Sequence, residues 1–315
     1  MSQRQTDDEK SEDNSLENNT VSQTSHVLFG CMMKESLTPL NLEVESDYEV
    51  GKGPPKLDVL IIRRAGARWT KAQLEFLPDG IRQSNCKHVI LELKYTESIN
   101  KTAIFQTIGY LGSYLRLKQF KPEKVCAFIV SSKTPQKRVL KQIGFEQADI
   151  KGVYRSKDCL LSNIQLISLN DLSDAPYNLW IKLFSSKIKQ RLSVLKRILV
   201  FDLKKFNSGL VSILVKILNF WNMIGEISMQ RIQKDILYES DGISDELAAW
   251  FLSMFKPEDR LRGLQPEDRL RGLQPEDRLR GLQPEDVFKQ FKPEDRLNGL
   301  DLKIIEDYLK TKKKK

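Results

Sequence analysis

The run His88-Val-Ile-Leu-Glu-Leu-Lys94 is the most strand-like stretch of this chain, and Tyr95 continues it. Its aliphatic and β-branched side chains suit a pleated, buried surface. Because side chains alternate along a strand, Glu92 and Lys94 fall on one face while Leu93 turns into the core on the other. Upstream, Leu57-Asp-Val-Leu-Ile-Ile-Arg63 predicts a second strand, and Leu42-Glu-Val-Glu45 a third placed to pair with it as a hairpin. Ahead of these, Ser25 to Ser36 carries Val27, Leu28, Cys31 and Met32 at helical spacing, with Pro39 just beyond. Arg64 to Asn85 is a polar insert with a helical turn over Thr70 to Leu77 and a tight turn at Pro78-Asp-Gly80. Downstream, Ile99 to Leu117 aligns Ile104, Ile108, Leu111 and Leu115 on one helical face. A strand at Lys124 to Ser131, a helix near Gln136 to Ile143 and a strand at Asn163 to Leu169 follow. This succession predicts an α/β fold, a mixed sheet flanked by helices.

Two carboxylates and a lysine are what metal-dependent phosphodiester hydrolysis requires. The acids hold a divalent cation, Mg²⁺ or Mn²⁺, and the lysine offsets charge on the phosphate and positions water. Glu92 and Lys94 share a strand face, and Asp58 interrupts an otherwise apolar strand, where an acid is costly unless paired or coordinated. Leu93 adds a backbone carbonyl as a further metal ligand. The tripeptide acid-x-Lys also occurs at Asp8, Asp149, Asp202 and Asp301, so it is the strand context that distinguishes Glu92. The plainer reading makes Glu92 and Lys94 a same-face ion pair at a sheet edge and Asp58 an acid near a turn.

The order of a helix, Asp58 on one strand, Glu92-x-Lys94 on the next, then a helix bearing Gln106 and Tyr110 resembles the PD-(D/E)XK nuclease superfamily. Within it the pattern is similar to the Rpn-type recombination-promoting nuclease and transposase-like proteins, and the C-terminal repeats look like tails on cyanobacterial proteins of that sort. The resemblance covers about half the chain. It implies a restriction-endonuclease-like sheet over residues 25–172 and Mg²⁺-dependent DNA endonuclease activity linked to recombination or mobile elements. Asp58 and Glu92 would be metal ligands, Lys94 the catalytic lysine, Gln106 and Tyr110 site-lining residues, and Glu35 an additional acid. Leu57 stands where the family motif has proline. A retained fold without activity, serving as an interaction or nucleic-acid-binding module, is the alternative.

The formal charge is +9, although residues 1–20 carry a surplus of four acids, so the remainder is more basic still and suits a polyanionic partner such as DNA. Residues 1–24 are polar and acidic, read as disordered, and lack the pattern of a signal peptide. A cytoplasmic protein with no membrane segment is expected. Gly209 to Gly225 is apolar but short for a span and carries Lys216, so it reads as a buried or partner-facing helix. Cys31, Cys86, Cys126 and Cys159 form no Cys-x-x-Cys pair and are expected to be reduced. His26 and His88, the only histidines, read as structural, and two are too few for a zinc site. Gly51-Lys-Gly-Pro-Pro-Lys56 lacks phosphate-loop spacing and reads as a turn.

Residues 173–255 read as a helical extension. Trp180, Phe184, Ile188, Leu192 and Leu195 lie on one face, with Lys187, Lys189, Arg191, Lys196 and Arg197 around the rest, either solvated or walling a nucleic-acid groove. Over residues 256–300 the nonapeptide Pro-Glu-Asp-Arg-Leu-Arg-Gly-Leu-Gln recurs with Pro257, Pro266, Pro275, Pro284 and Pro293 in register. Proline first, acids next and glycine near the end predict one short helical turn per unit. The repeats are expected to act as a linker or a weak self-association or partner surface. Residues 301–315 are read as a short helix with a lysine tail.

Overall fold

In a computed structural model, the structure describes residues 2–46, 59–200, 208–232, 234, 249, 252–253, 265–271, 273–292, 295–296 and 301–312. Seven strands form one mixed sheet: β1 (Glu43–Glu45), β2 (Val59–Arg63), β3 (His88–Lys94), β4 (Val125–Ser131), β5 (Phe145–Gln147), β6 (Val153–Ser156) and β7 (Ile164–Ser168). Their spatial order is β1-β2-β3-β4-β7-β6-β5. The pairs β1–β2 and β2–β3 are antiparallel, β3, β4 and β7 are mutually parallel, and β6 and β5 complete the sheet antiparallel. The anticipated pairing of Leu42–Glu45 with the 57–63 run is present, with Val44 opposite Ile62. Arg63 ties the pair together by reaching Glu43 at 2.5 Å and Glu45 at 2.7 Å. Burial opposes the Arg63 charge, but its hydrogen bonds to Tyr114 and Glu45 and the nearby Glu43 raise its pKa overall.

Helices cover both faces. On one, α1 (Ser2–Leu37), α5 (Leu179–Lys182), α6 (Ile188–Val200) and α7 (Ser208–Met223) pack over Val89, Leu91, Leu93, Phe128 and Ile167. On the other, α3 (Lys101–Lys118) and α4 (Lys137–Gln142) cover Ile90, Ala127, Ile129 and Leu166. Two small helices complete this unit, α2 (Lys71–Leu74), started by a capping box between Thr70 and Gln73, and α8 (Met229–Ile232). The Pro78-Asp-Gly80 turn is present, with Gly80 at φ +91, a conformation that favours glycine.

The structure changes several expectations. The stretch read as disordered is helical from Ser2, since it holds no glycine or proline before Gly30 to stop a helix that the buried segment nucleates. The buried face of α1 is Leu28, Phe29, Met32 and Met33, and Val27 is exposed. The hairpin β5–β6 was not anticipated, because strands of three and four residues are too short to show a period, and it turns at Gly152 with φ +81. Cys86 and Cys126 are not reduced but joined in a disulfide, the parallel register of β3 and β4 bringing their Cα atoms to 5.8 Å. Cys31 and Cys159 are free.

The extension is not a solvated appendage. Residues 1–262 form one compact unit, and Arg191, expected among the surface cations, is 1% exposed. It pairs with Glu226, donates to the Ser185 carbonyl, and lies 5.5 Å from the Tyr95 ring and 5.4 Å from the Trp221 ring. The Tyr95 hydroxyl donates to Glu226 at 3.3 Å. Burial pushes the Tyr95 phenol up, so it stays a donor. Helix α7 is buried through Leu214, Ile217, Leu218 and Trp221, with Lys216 exposed on its far side. Among the described residues no helix is long and apolar enough to cross a membrane.

Residues 263–315 form a second unit. The repeats supply short proline-started helices, α9 (Pro266–Leu270), α10 (Pro275–Leu279) and α11 (Pro284–Lys289), followed by α12 (Leu302–Lys312). Leu270, Leu273, Leu279 and Leu282 are exposed, so these copies bury no leucine seam.

Candidate functional site

Strand β3 is one of two strands at which the sheet changes direction, antiparallel to β2 on one side and parallel to β4 on the other, as β7 is between β6 and β4. In open α/β sheets ligands bind outside the carboxyl ends of the strands. Glu92 and Lys94 occupy that end of β3, on the face turned toward α3. Helix α3 begins with Asn100 accepting from the Ala103 amide at 2.9 Å, which fixes the first helical turns against the strand end.

Five side chains meet there. Lys94 Nζ lies 2.8 Å from Glu92 Oε1 and 3.2 Å from Glu97 Oε2, and donates to Gln106 Oε1 at 3.1 Å. An ammonium has three donors, and these three acceptors satisfy it. The other Glu92 oxygen, Oε2, accepts from the Thr107 hydroxyl at 2.7 Å. That hydroxyl is also 2.9 Å from the Ala103 carbonyl, so its single proton is shared between two acceptors. Glu92 is 4% exposed, whereas Gln106 and Glu97 open to solvent. Burial works against the Lys94 charge, but the carboxylates of Glu92 and then Glu97 outweigh it and raise its pKa. Lys94 is therefore a cation across the physiological range, suited to stabilising negative charge and not to taking up a proton.

The sheet-edge form of the ion-pair reading does not hold, because β3 lies between β2 and β4. The ion pair itself is present. Thr107 and Glu97 were missed from sequence. Thr107 stands three residues after Ile104 and four before Leu111, so its place on the buried face of α3 was legible. Glu97 lies in a loop without periodicity.

Asp58 lies outside the described residues, as does Gly51-Lys-Gly-Pro-Pro-Lys56; the next residue after Asp58, Val59, stands opposite Glu92. Tyr110 is half-buried against the core under α3. Glu35 is on the other layer, its carboxylate set so close to Gly209 in the first turn of α7 that any side chain there would collide with it. A carboxylate at a helix N-terminus is favourable, and this accounts for Glu35 away from the Glu92 site. The Leu93 carbonyl, expected to be offered to a metal, faces His26 Nε2 of α1 at 2.5 Å.

For a divalent cation the described donors are incomplete. Both oxygens of Glu92 are engaged, the Leu93 carbonyl has a partner, and among the described residues no three His, Cys, Asp or Glu side chains gather into a metal site. No family model, no curated protein and no solved structure matches this chain.

Proposed function

We propose that this protein is a Mg²⁺-dependent DNA endonuclease of the PD-(D/E)XK type with a restriction-endonuclease-like core, in which Asp58 joins Glu92 as the second acid. The observation that carries the reading is the placement of Glu92 and Lys94, a buried acid and its paired cation on one face of a strand at which the sheet changes direction, facing Gln106 on the next helix. The order of a helix, three antiparallel strands with acid-x-Lys on the third, a helix and a parallel strand supports it. A bound cation would supply charge to polarise the phosphodiester and acidify water. The chain's own part is separate: Lys94 offsets the charge of the phosphate, Gln106 and Glu97 orient Lys94, and Thr107 orients Glu92. The test is nicking of supercoiled DNA with Mg²⁺ or Mn²⁺, which Glu92→Gln must abolish.

The satisfied state of Glu92 favours a second reading, a nuclease-type fold that binds nucleic acid or a protein partner without cutting. That reading expects DNA binding that survives Glu92→Gln and no nicking under any divalent cation. The repeats, with exposed leucines on neutral units, fit weak self-association under either reading. A cytoplasmic setting belongs to the same proposal.

A further inference from the structure

On the same sheet face as Glu92 and Lys94, a cleft of about 570 Å³ opens between α4 and the β5–β6 hairpin. It begins at the carboxyl ends of β4 and β7, where Thr134 and Asp171 line it, and runs along the hairpin to Lys157. Leu140 and Phe145 give it an apolar floor, both buried. Tyr154 is held there by Asp171, and burial first and then that carboxylate raise its pKa, so it does not add negative charge.

The charges are unevenly committed. Lys157 is paired with Glu146 at 2.6 Å, and Asp171 accepts from Ser168 at 2.6 Å. Lys137, Lys141 and Lys151 line the same cleft, are exposed, and have no hydrogen-bond or ion-pair partner among the described residues. Both acids lining the cleft are thus engaged while three ammoniums are not, which leaves it an anion seat. The Thr134 end of the cleft lies next in sequence to Lys133, which donates to the Thr96 carbonyl at 2.5 Å, two residues from Lys94.

We infer that this cleft seats the sugar–phosphate backbone of a nucleic-acid strand that continues to Glu92 and Lys94. The inference rests on the nucleic-acid part of the proposed function, but binding and not cutting is what it predicts. Spaced cations beside an apolar floor fit repeating phosphates joined by sugars and bases better than a single anion, which would use one or two of the lysines. A concave seat also separates this from a flat membrane-facing patch.

The experiment measures binding of a fluorescein-labelled 20-mer, single-stranded and duplex, by the full chain in EDTA across a salt series. Two triple variants of equal charge change are compared, Lys137→Glu/Lys141→Glu/Lys151→Glu in the cleft and Lys34→Glu/Lys71→Glu/Lys121→Glu at exposed positions on α1, on α2 and ahead of β4. The cleft variant is expected to bind at least about tenfold more weakly, with a log–log salt slope shallower by about 2, as each lost phosphate contact removes about 0.7–0.9. The control is expected to keep the wild-type slope, and the stronger of the two labelled probes identifies the strand form. Wild-type affinity and slope in the cleft variant, an equal loss in the control, or no binding by wild type would each overturn the inference. Nicking that persists while the cleft variant binds normally would sink the cleft alone. Cleft-dependent binding without nicking would sink the nuclease reading alone.

Discussion

Thr107 holds Glu92: its hydroxyl stands 2.7 Å from Glu92 Oε2, leaving Oε1 to face Lys94. A carboxylate that is 4% exposed needs both partners, since an unsatisfied buried charge is costly. Thr107→Val keeps the shape and removes the donor. It should lower stability by about 1–3 kcal/mol, read as a lower urea midpoint at unchanged m-value. A wild-type midpoint would mean that the hydroxyl is not what satisfies Glu92.

The Glu92–Lys94 pair should behave as a buried ion pair, worth little as a unit and expensive to break. Lys94→Met alone is expected to cost about 3–5 kcal/mol, and adding Glu92→Gln should recover a large part of it. The cycle is measured by chemical denaturation of the four proteins. Additive losses would show that the two side chains are not coupled as their 2.8 Å separation requires.

The Cys86–Cys126 bond closes a 40-residue separation between the loop leading into β3 and strand β4. Constraining a loop of that length stabilises by about 4 kcal/mol on the chain-entropy account. Both cysteines are buried, so the bond should resist a mild reductant in the folded protein and yield once denaturant is added. Thiol titration with and without denaturant checks this. Four reactive thiols in protein purified under oxidising conditions would contradict the pairing.

His88 donates to or accepts from the Tyr114 hydroxyl at 3.0 Å and stacks at 4.4 Å from the Phe120 ring. Burial first, then the Arg63 charge, push its pKa below the usual imidazole value, with Glu43 opposing. The unfolded chain then binds more protons than the folded one between the two pKa values. The stabilisation is complete above about pH 6.5 and is lost as pH falls through the folded pKa. Thermal unfolding of wild type should weaken more steeply than that of His88→Gln between about pH 7 and 5. Parallel curves would count against the placement of His88.

The central strands and both flanking helices α3 and α4 were legible because their side chains carry a clear period: His88–Lys94 and Val125–Ser131 read as strands, Lys101–Lys118 as a helix. What escaped lacked one. The β5–β6 hairpin is too short for a period. The burial of Arg191 depends on Glu226, 35 residues away, which no local pattern reveals. At the candidate site, Glu92, Lys94 and Gln106 were found from strand alternation and the resemblance, and the structure brings them together. Glu35 was drawn in by its helix and belongs instead to the first turn of α7. The Cys86–Cys126 pairing needs the β3–β4 register, which sequence spacing alone does not supply.

Nicking of supercoiled plasmid in Mg²⁺ or Mn²⁺ by wild type, Asp58→Asn and Lys94→Ala tests the central claim most directly. The account predicts nicking by wild type that EDTA stops, and a loss of at least about 10²-fold in each variant, the size typical when one group stabilising transition-state charge is removed. Equal activity in all three proteins, or none in wild type under either cation, would contradict it.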